Sequence, residues 1–218
     1  MRTSGASAAL RLAYSQNGTK PVAFLDETHN VDPAHRPSYY VMVAVVVQSR
    51  EMSALRSDLV NRAGASYLHT TEALRTELGR ERTVELLQHL GDPAGSELCA
   101  LRHESTVDPM DKNGEAARAR CLRRLLEYLS QPGIHGDGVD LFVLERRRNQ
   151  GEVVLDGKTK AQSLSEGKTG PSARLMQVAP GEEQLLWLPD LVCSASRQVV
   201  ARGDRAYFDE VGHITTLI

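Results

Sequence analysis

Two adjacent carboxylates, Asp26 and Glu27, follow the short apolar segment 21–25. The alternating side chains of this segment predict a β-strand buried on both faces, with Asp26 continuing one face and Glu27 the other. A carboxylate at the end of a buried strand is costly unless water, a hydrogen bond or a cation compensates it. The pair therefore indicates either a site that uses acidic groups or the start of a polar loop.

Two further acidic residues occupy comparable positions. Glu145 ends a predicted strand over 139–144, and Asp190 lies in the first turn of a predicted helix over 188–202. Carboxylates that converge at one edge of a sheet repel one another unless cations neutralise them, and oxygen ligands suit Mg²⁺ or Mn²⁺. Two such ions can stabilise the attacking and leaving oxygens of a phosphodiester. We therefore expect Asp26, Glu145 and Asp190 to be catalytic metal ligands, with Glu27 supporting them.

Each acidic residue also has a structural explanation. Asp190 follows Pro189 in a first helical turn, where the helix dipole favours a carboxylate. Glu145 precedes an arginine run over 146–148 and is a candidate for a surface ion pair. Beside a carboxylate cluster, however, Arg146 and Arg147 can hold phosphates, and His69 is a weaker candidate for the same substrate-binding role.

Composition narrows the class of protein. The 218 residues suit a single domain over 21–218 preceded by a loose polar leader over 1–20. A net charge of −2 excludes a generally basic surface, so that any nucleic-acid contact must be local. No apolar run is long enough to span a membrane. Three widely separated cysteines fit no zinc spacing and favour a reducing, cytoplasmic location.

The remaining pattern predicts an α/β domain. A continuous apolar strand over 39–47 is typical of the centre of a sheet, and further strands are predicted over 66–69, 97–101, 139–144 and 174–178. Helices are predicted over 49–62, 71–90, 115–129 and 188–202. The polar segment 151–172 predicts a mobile excursion near the site. The order of these elements indicates a mixed sheet with helices on its faces.

The segment Phe24-Leu25-Asp26-Glu27-Thr28, together with the apolar strand 39–47, resembles the opening of the RNase H-like proteins grouped as domain-of-unknown-function family 3800. The usual opening of that family is an aromatic and an aliphatic residue followed by Asp-Glu-Ser-Gly. Residues 186–192 are similar to its terminal Leu-Gln-x-Ala-Asp-Leu-Ile helix, and 68–70 and 144–145 match its strand ends loosely. The resemblance covers residues 21–202.

The resemblance implies an RNase H-like fold and, by analogy, a metal-dependent nuclease-type site that acts on DNA or RNA. Three departures bear on activity: Thr28-His29 replaces Ser-Gly, Pro189 replaces alanine and Glu145 replaces aspartate. Two alternatives stay open. One is a catalytically silent RNase H-like module that binds protein or nucleic acid, and the other is an enzyme that acts on small phosphorylated metabolites.

Overall fold

The computed structural model describes residues 6–32, 37–65, 68–133, 138–147, 149–179 and 181–218. Its strands are β1 (Val22–Asn30), β2 (Tyr39–Val47), β3 (Leu98–Glu104), β4 (Leu141–Glu145), β5 (Arg174–Val178) and β6 (Thr215–Leu217). Its α-helices are α1 (Ala8–Asn17), α2 (Met52–Ala63), α3 (Thr70–Ala73), α4 (Glu77–Leu90), α5 (Glu115–Leu129), α6 (Gln150–Ser165) and α7 (Trp187–Arg202).

The described strands form one mixed sheet in the order β5-β4-β1-β2-β3-β6. β1, β2 and β3 pair antiparallel in sequence order, whereas β4 pairs parallel to β1, β5 to β4 and β6 to β3. All nine residues of β2 are buried, as its continuous apolar sequence predicts for a strand covered on both faces.

Helices cover both faces of this sheet. α1, α2, α4 and α7 share one apolar core with the β1 face of Val22 and Phe24. α5 shares the other core with the face of Ala23 and Leu25, and α6 packs against α5 and β5. The predicted class, an α/β domain with a mixed sheet flanked by helices, is therefore confirmed. No helix in the described ranges has the length and apolarity needed to cross a membrane.

The first strand is longer than its apolar segment predicts. β1 pairs with β2 as far as Asn30, so Asp26 and Glu27 lie within the strand and not at its end. The pairing of β1 with β4, in contrast, reaches only Leu25↔Leu144. From Asp26 onward, β1 is therefore paired with β2 but no longer with β4, and the edge of β1 that faces β4 borders a cleft.

The structure corrects two expectations, a loose leader over 1–20 and a mobile segment over 151–172. Residues 8–17 of the expected leader form α1, in which Leu10 is completely buried in the core; residues 1–5 are outside the described ranges. The expected mobile segment over 151–172 forms most of α6, in which Asp156 and Ser163 are buried. In both cases a few buried side chains fix the helix, because tertiary packing supplies most of the stability of a helix.

Other differences are local. The helix expected over 71–90 is divided into α3 and α4, with Thr76 capping α4 through a bond from the Gly79 N–H to its hydroxyl (3.1 Å). The strand expected over 66–69 is absent at residues 68 and 69, and residues 66 and 67 are outside the described ranges. β6 was not predicted, because its three residues carry too short a pattern to be recognised.

Candidate carboxylate site

One cleft of about 710 Å³ contains every residue that the sequence analysis selected. It lies beside the carboxyl end of β4 and the first turns of α7, where the sheet opens between β1 and β4. The selected residues that line it are Asp26, Glu27, His69, Glu145, Arg146, Arg147 and Asp190. The selected residues therefore share one cleft, and their convergence on a common metal ion stays a prediction.

Asp26 and Glu145 occupy neighbouring strands on the same side of the sheet. The register pairs Val22 with Leu141 and Phe24 with Val143, and the alternation of side chains carries this face on to Asp26 and Glu145. Burial raises the pKa of Asp26 well above its usual range, and the charges of Glu27, Asp190 and Glu145 raise it further. Asp26 therefore lies in a cleft where negative charge is concentrated.

Asp190 is held in place by the start of α3. Its Oδ2 atom accepts hydrogen bonds from the backbone N–H of Thr70 (3.0 Å) and from the Thr70 hydroxyl (2.8 Å). Thr70 is completely buried, and His69 precedes it with an exposed side chain at the wall of the cleft. The carboxylate of Asp190 therefore fixes α3 against α7 and has one defined orientation, beyond the helix-dipole role that its sequence position indicates.

Glu27 points to the opposite face of β1 and pairs with Arg118 of α5. Arg118 is nearly completely buried and also donates two hydrogen bonds to Asp156 of α6 (2.8 and 2.9 Å) and one to the hydroxyl of Tyr40 (3.3 Å). Burial alone would lower the pKa of Arg118, but the bond to Asp156 and the charge of Glu27 raise it above its usual value. We call Glu27, Arg118, Asp156 and Tyr40 the Arg118 network.

Sequence reasoning missed this network although one signal was available. Arg118 lies on the apolar stripe of α5, four residues before Leu122 and seven before Leu125. A charged residue on such a stripe needs a buried partner. Its partner Asp156 lies in the segment that was expected to be mobile, so the sequence pattern did not suggest the pair.

The two arginines that were selected for substrate binding differ in their contacts. Arg147 donates two hydrogen bonds to Glu115 (2.8 and 2.6 Å) and forms an ion pair with Glu152 (3.2 Å). Arg146 is exposed and donates one hydrogen bond to the carbonyl of Gln177 (3.3 Å). Arg148 lies outside the described ranges. The charge of Arg147 is thus balanced by protein carboxylates, whereas Arg146 presents its charge to the cleft.

His29, one of the departures from the family pattern, packs beside the Arg118 network. Its ring stacks on Tyr40 with centroids 5.1 Å apart and an interplanar angle of 4°. Partial burial lowers the pKa of His29, and the nearby negative charge of Glu27 partly offsets this shift. The His29 ring therefore takes up space at the cleft wall that a glycine would leave open.

The carboxylates suit a hard divalent cation by type but do not form a preformed metal centre. Carboxylate oxygens are the ligands that Mg²⁺ and Mn²⁺ prefer, and a cation would offset the repulsion that raises the pKa of Asp26. Within the described ranges, however, no group of three or more His, Cys, Asp or Glu side chains is placed to hold a metal ion. Thr70 already engages Asp190, and Arg118 already engages Glu27.

Comparison with known proteins gives one similar fold. No family model matches this chain, and no curated protein matches it in sequence. The chain is similar to the crystal structure of Bst-RNase HIII in complex with Mn²⁺, with 10% sequence identity and a TM-score of 0.45. The similarity covers 93% of this chain and 56% of that chain, so this chain spans little more than half its length. The function of this chain is therefore inferred from its own residues.

Proposed function

We propose that this protein is an RNase H-like, divalent-metal-dependent nuclease or phosphodiesterase. The observation that supports this proposal best is the presence of carboxylates from β1, β4 and α7 in one cleft, where they raise the pKa of Asp26 together with burial. Asp26, Glu145 and Asp190 would hold Mg²⁺ or Mn²⁺. A structural ion pair would not require carboxylates from three separate elements to line one cleft.

The residues of the chain have distinct roles in this proposal. When bound, the metal ion would act as a Lewis acid and lower the pKa of a water molecule. Thr70 keeps Asp190 in one orientation, and the Arg118 network keeps Glu27 turned away from Asp26. Arg146 supplies positive charge at the cleft for a phosphate of the substrate. Asp26 and Glu145 would supply carboxylate oxygens to the metal ion from the same side of two neighbouring strands.

The experiment that tests this proposal compares wild type with Asp26→Asn in thermal melts with and without Mn²⁺, beside cleavage assays on single-stranded and duplex oligonucleotides. We expect Mn²⁺ to stabilise only the wild type, and only the wild type to cleave. Asp58→Asn, at an exposed position of α2 outside the cleft, is the matched control and should behave as wild type. A wild type with neither a melting shift nor cleavage would contradict the enzyme proposal.

A second candidate function is a catalytically silent module that binds nucleic acid. It is favoured by the engagement of Glu27 and Asp190 in protein contacts and by the lack of a three-ligand group among the described residues. The stacking of His29 on Tyr40 at the cleft wall points in the same direction. Binding of an oligonucleotide that needs no divalent cation and leads to no cleavage would support this candidate over the enzyme.

A further inference from the structure

Two grooves with positively charged walls adjoin the carboxylate cleft, one on each side. The first, which we call the α7 groove, has a volume of about 380 Å³ and is lined by Arg75, Arg197 and Arg202. It shares Arg197 and Thr71 with the wall of the cleft. None of the described residues that line the α7 groove is acidic.

The second groove, the β5 groove, lies between α6 and β5 and has a volume of about 590 Å³. Arg146, Lys160 and Arg174 line it, and Arg146 also lines the carboxylate cleft. Its described lining residues again include no carboxylate. The cleft therefore opens on two sides into regions of the opposite charge, although the chain as a whole carries a net charge of −2.

Within the described ranges, no carboxylate neutralises the charges of these grooves. In the described part of the chain, none of the six basic residues forms an ion pair with a carboxylate. Arg197 donates a 3.5 Å hydrogen bond to the Thr71 hydroxyl, and Arg174 bonds to Gln16 (2.7 Å) and to the Ala13 carbonyl (3.3 Å). These neutral acceptors orient the guanidinium groups and leave their charge available, in contrast to Arg147, which two carboxylates balance.

We infer that the α7 groove and the β5 groove bind the phosphodiester backbone of one nucleic-acid strand on either side of the carboxylate cleft. The inference rests on the proposed function, which places the reacting phosphate in the cleft itself. A small phosphorylated metabolite would occupy the cleft or one groove, but a chain with repeated phosphates satisfies both grooves at once. Charged contacts on both sides of an acidic site also offset the repulsion between its carboxylates and the incoming phosphates.

The α7 groove is tested with the exposed pair Arg75 and Arg202. We would measure binding of a fluorescein-labelled single-stranded dT20 by anisotropy across a salt series, with Ca²⁺ present and Mg²⁺ and Mn²⁺ absent. Each phosphate contact on a single strand contributes about −0.7 to the slope of log K against log salt. The double variant Arg75→Gln/Arg202→Gln should therefore lose about 1.4 of this slope and about 25-fold in affinity at 0.1 M salt.

The matched control is the double variant Arg50→Gln/Lys112→Gln, which removes the same charge at exposed positions outside both grooves. It should weaken binding less than about twofold, since it changes only the long-range field. Equal weakening by the two double variants would overturn the inference, because binding would then follow net charge and not the α7 groove.

The β5 groove offers a closer control within one helix. Lys160 lines this groove, whereas Lys158, two residues earlier in α6, is exposed and does not. Lys160→Gln should reduce affinity about fivefold at 0.1 M salt and lower the slope by about 0.7, and Lys158→Gln should leave both within experimental error. Equal effects of the two substitutions would remove the β5 groove from the binding surface.

The occupant is tested with a competitor of another class. Poly-glutamate of matched charge should displace dT20 at least tenfold less effectively than unlabelled dT20 does. Equal displacement would assign the grooves to acidic protein segments and overturn the nucleic-acid inference. Groove-dependent binding without cleavage would refute the enzyme function and keep this inference. Cleavage with groove-independent binding would do the reverse.

Discussion

Asp26 and Glu27 are neighbours in one strand, yet they lie in opposite electrostatic environments. Glu27 faces α5, where Arg118 balances its charge and Asp156 and Tyr40 complete a buried network. Asp26 faces α7, where burial and the charges of Glu27, Asp190 and Glu145 raise its pKa. The comparison shows that the alternation of a β-strand can place two adjacent carboxyl groups in a charge-balanced environment and in a repulsive one.

The two faces of β1 also differ in whether the protein itself balances the charge of the carboxylate. The Arg118 network is complete within the protein and stabilises the packing of α5 and α6 against the sheet. On the Asp26 side, burial and the neighbouring carboxylates raise the pKa of Asp26, so the ionised form of this carboxyl group is unfavourable in the folded protein. Perturbed groups of this kind are typical of functional sites, whereas balanced buried pairs are typical of structural ones.

The largest expected effect is on the balanced side. Arg118→Met would leave Glu27 and Asp156 without their cation, so the free energy of unfolding should fall by about 3–5 kcal/mol. Arg120→Met in the same helix removes an exposed arginine whose ion pair with Glu104 spans 3.5 Å, and it should cost less than about 1 kcal/mol. Urea unfolding of both variants would measure this difference, and similar losses would refute the structural role of Arg118.

A smaller loss is expected when Glu27 alone loses its charge. Glu27→Gln removes one of the two anionic partners of Arg118 and leaves the paired hydrogen bonds to Asp156 intact. The free energy of unfolding should fall by about 1–2 kcal/mol, discounted because the Glu27 side chain is partly exposed. Urea unfolding in the presence of a chelator is the measurement. A gain in stability would place Glu27 with the repelling carboxylates instead.

A change of the opposite sign in the free energy of unfolding is expected at the preceding residue, Asp26. Asp26→Asn removes a charge that faces other carboxylates and changes the packing little, so the metal-free protein should keep its stability or gain up to about 1 kcal/mol. The same unfolding experiment gives the value. A loss of about 1 kcal/mol would instead indicate a carboxylate that caps a turn and has no role in cation binding.

The smallest expected effect is the pH dependence of the stability difference between wild type and Asp26→Asn. Because the pKa of Asp26 in the folded state lies above its unfolded value of about 3.9, folding favours the protonated form. Wild-type stability should therefore fall, relative to Asp26→Asn, as the pH rises from about 4 through the raised pKa. Below about pH 4 the wild-type carboxyl is neutral in both states, and any advantage of Asp26→Asn should vanish there. A difference that does not change with pH would exclude a charge effect.

The sequence predicted the residues of the cleft better than it predicted their surroundings. The acidic residues were found because each directly follows an apolar segment or begins a helix. The bounds of α5 and β5 agree with the prediction because their apolar patterns are strong. The predicted roles of the acidic residues in catalysis and metal binding remain predictions.

What the sequence could not give depends on contacts between distant segments. Asp156 stabilises α6 only because Arg118 of α5 reaches it, and α1 is fixed by the Tyr14 hydroxyl, which donates to Glu183. Of the six basic residues of the two grooves, Arg146 belongs to the arginine run 146–148, but the other five are scattered between residues 75 and 202 and form no run or motif. Local periodicity carries no information about such pairs, so polar segments were interpreted as loops.

The cleft is built by β1, β4 and α7, which are far apart in the sequence, so it can form only after α7 has been synthesised. β1, β2 and β3 are consecutive in sequence and pair antiparallel, so they can assemble before the parallel strands exist. At about 5–20 residues per second, Asp190 leaves the ribosome roughly 10–30 s after Asp26. The early sheet therefore folds without the repulsion between Asp26 and its later partners. The docking of β4 and α7 then brings these carboxylates together, and we expect the yield of this step to depend on the ions that are present.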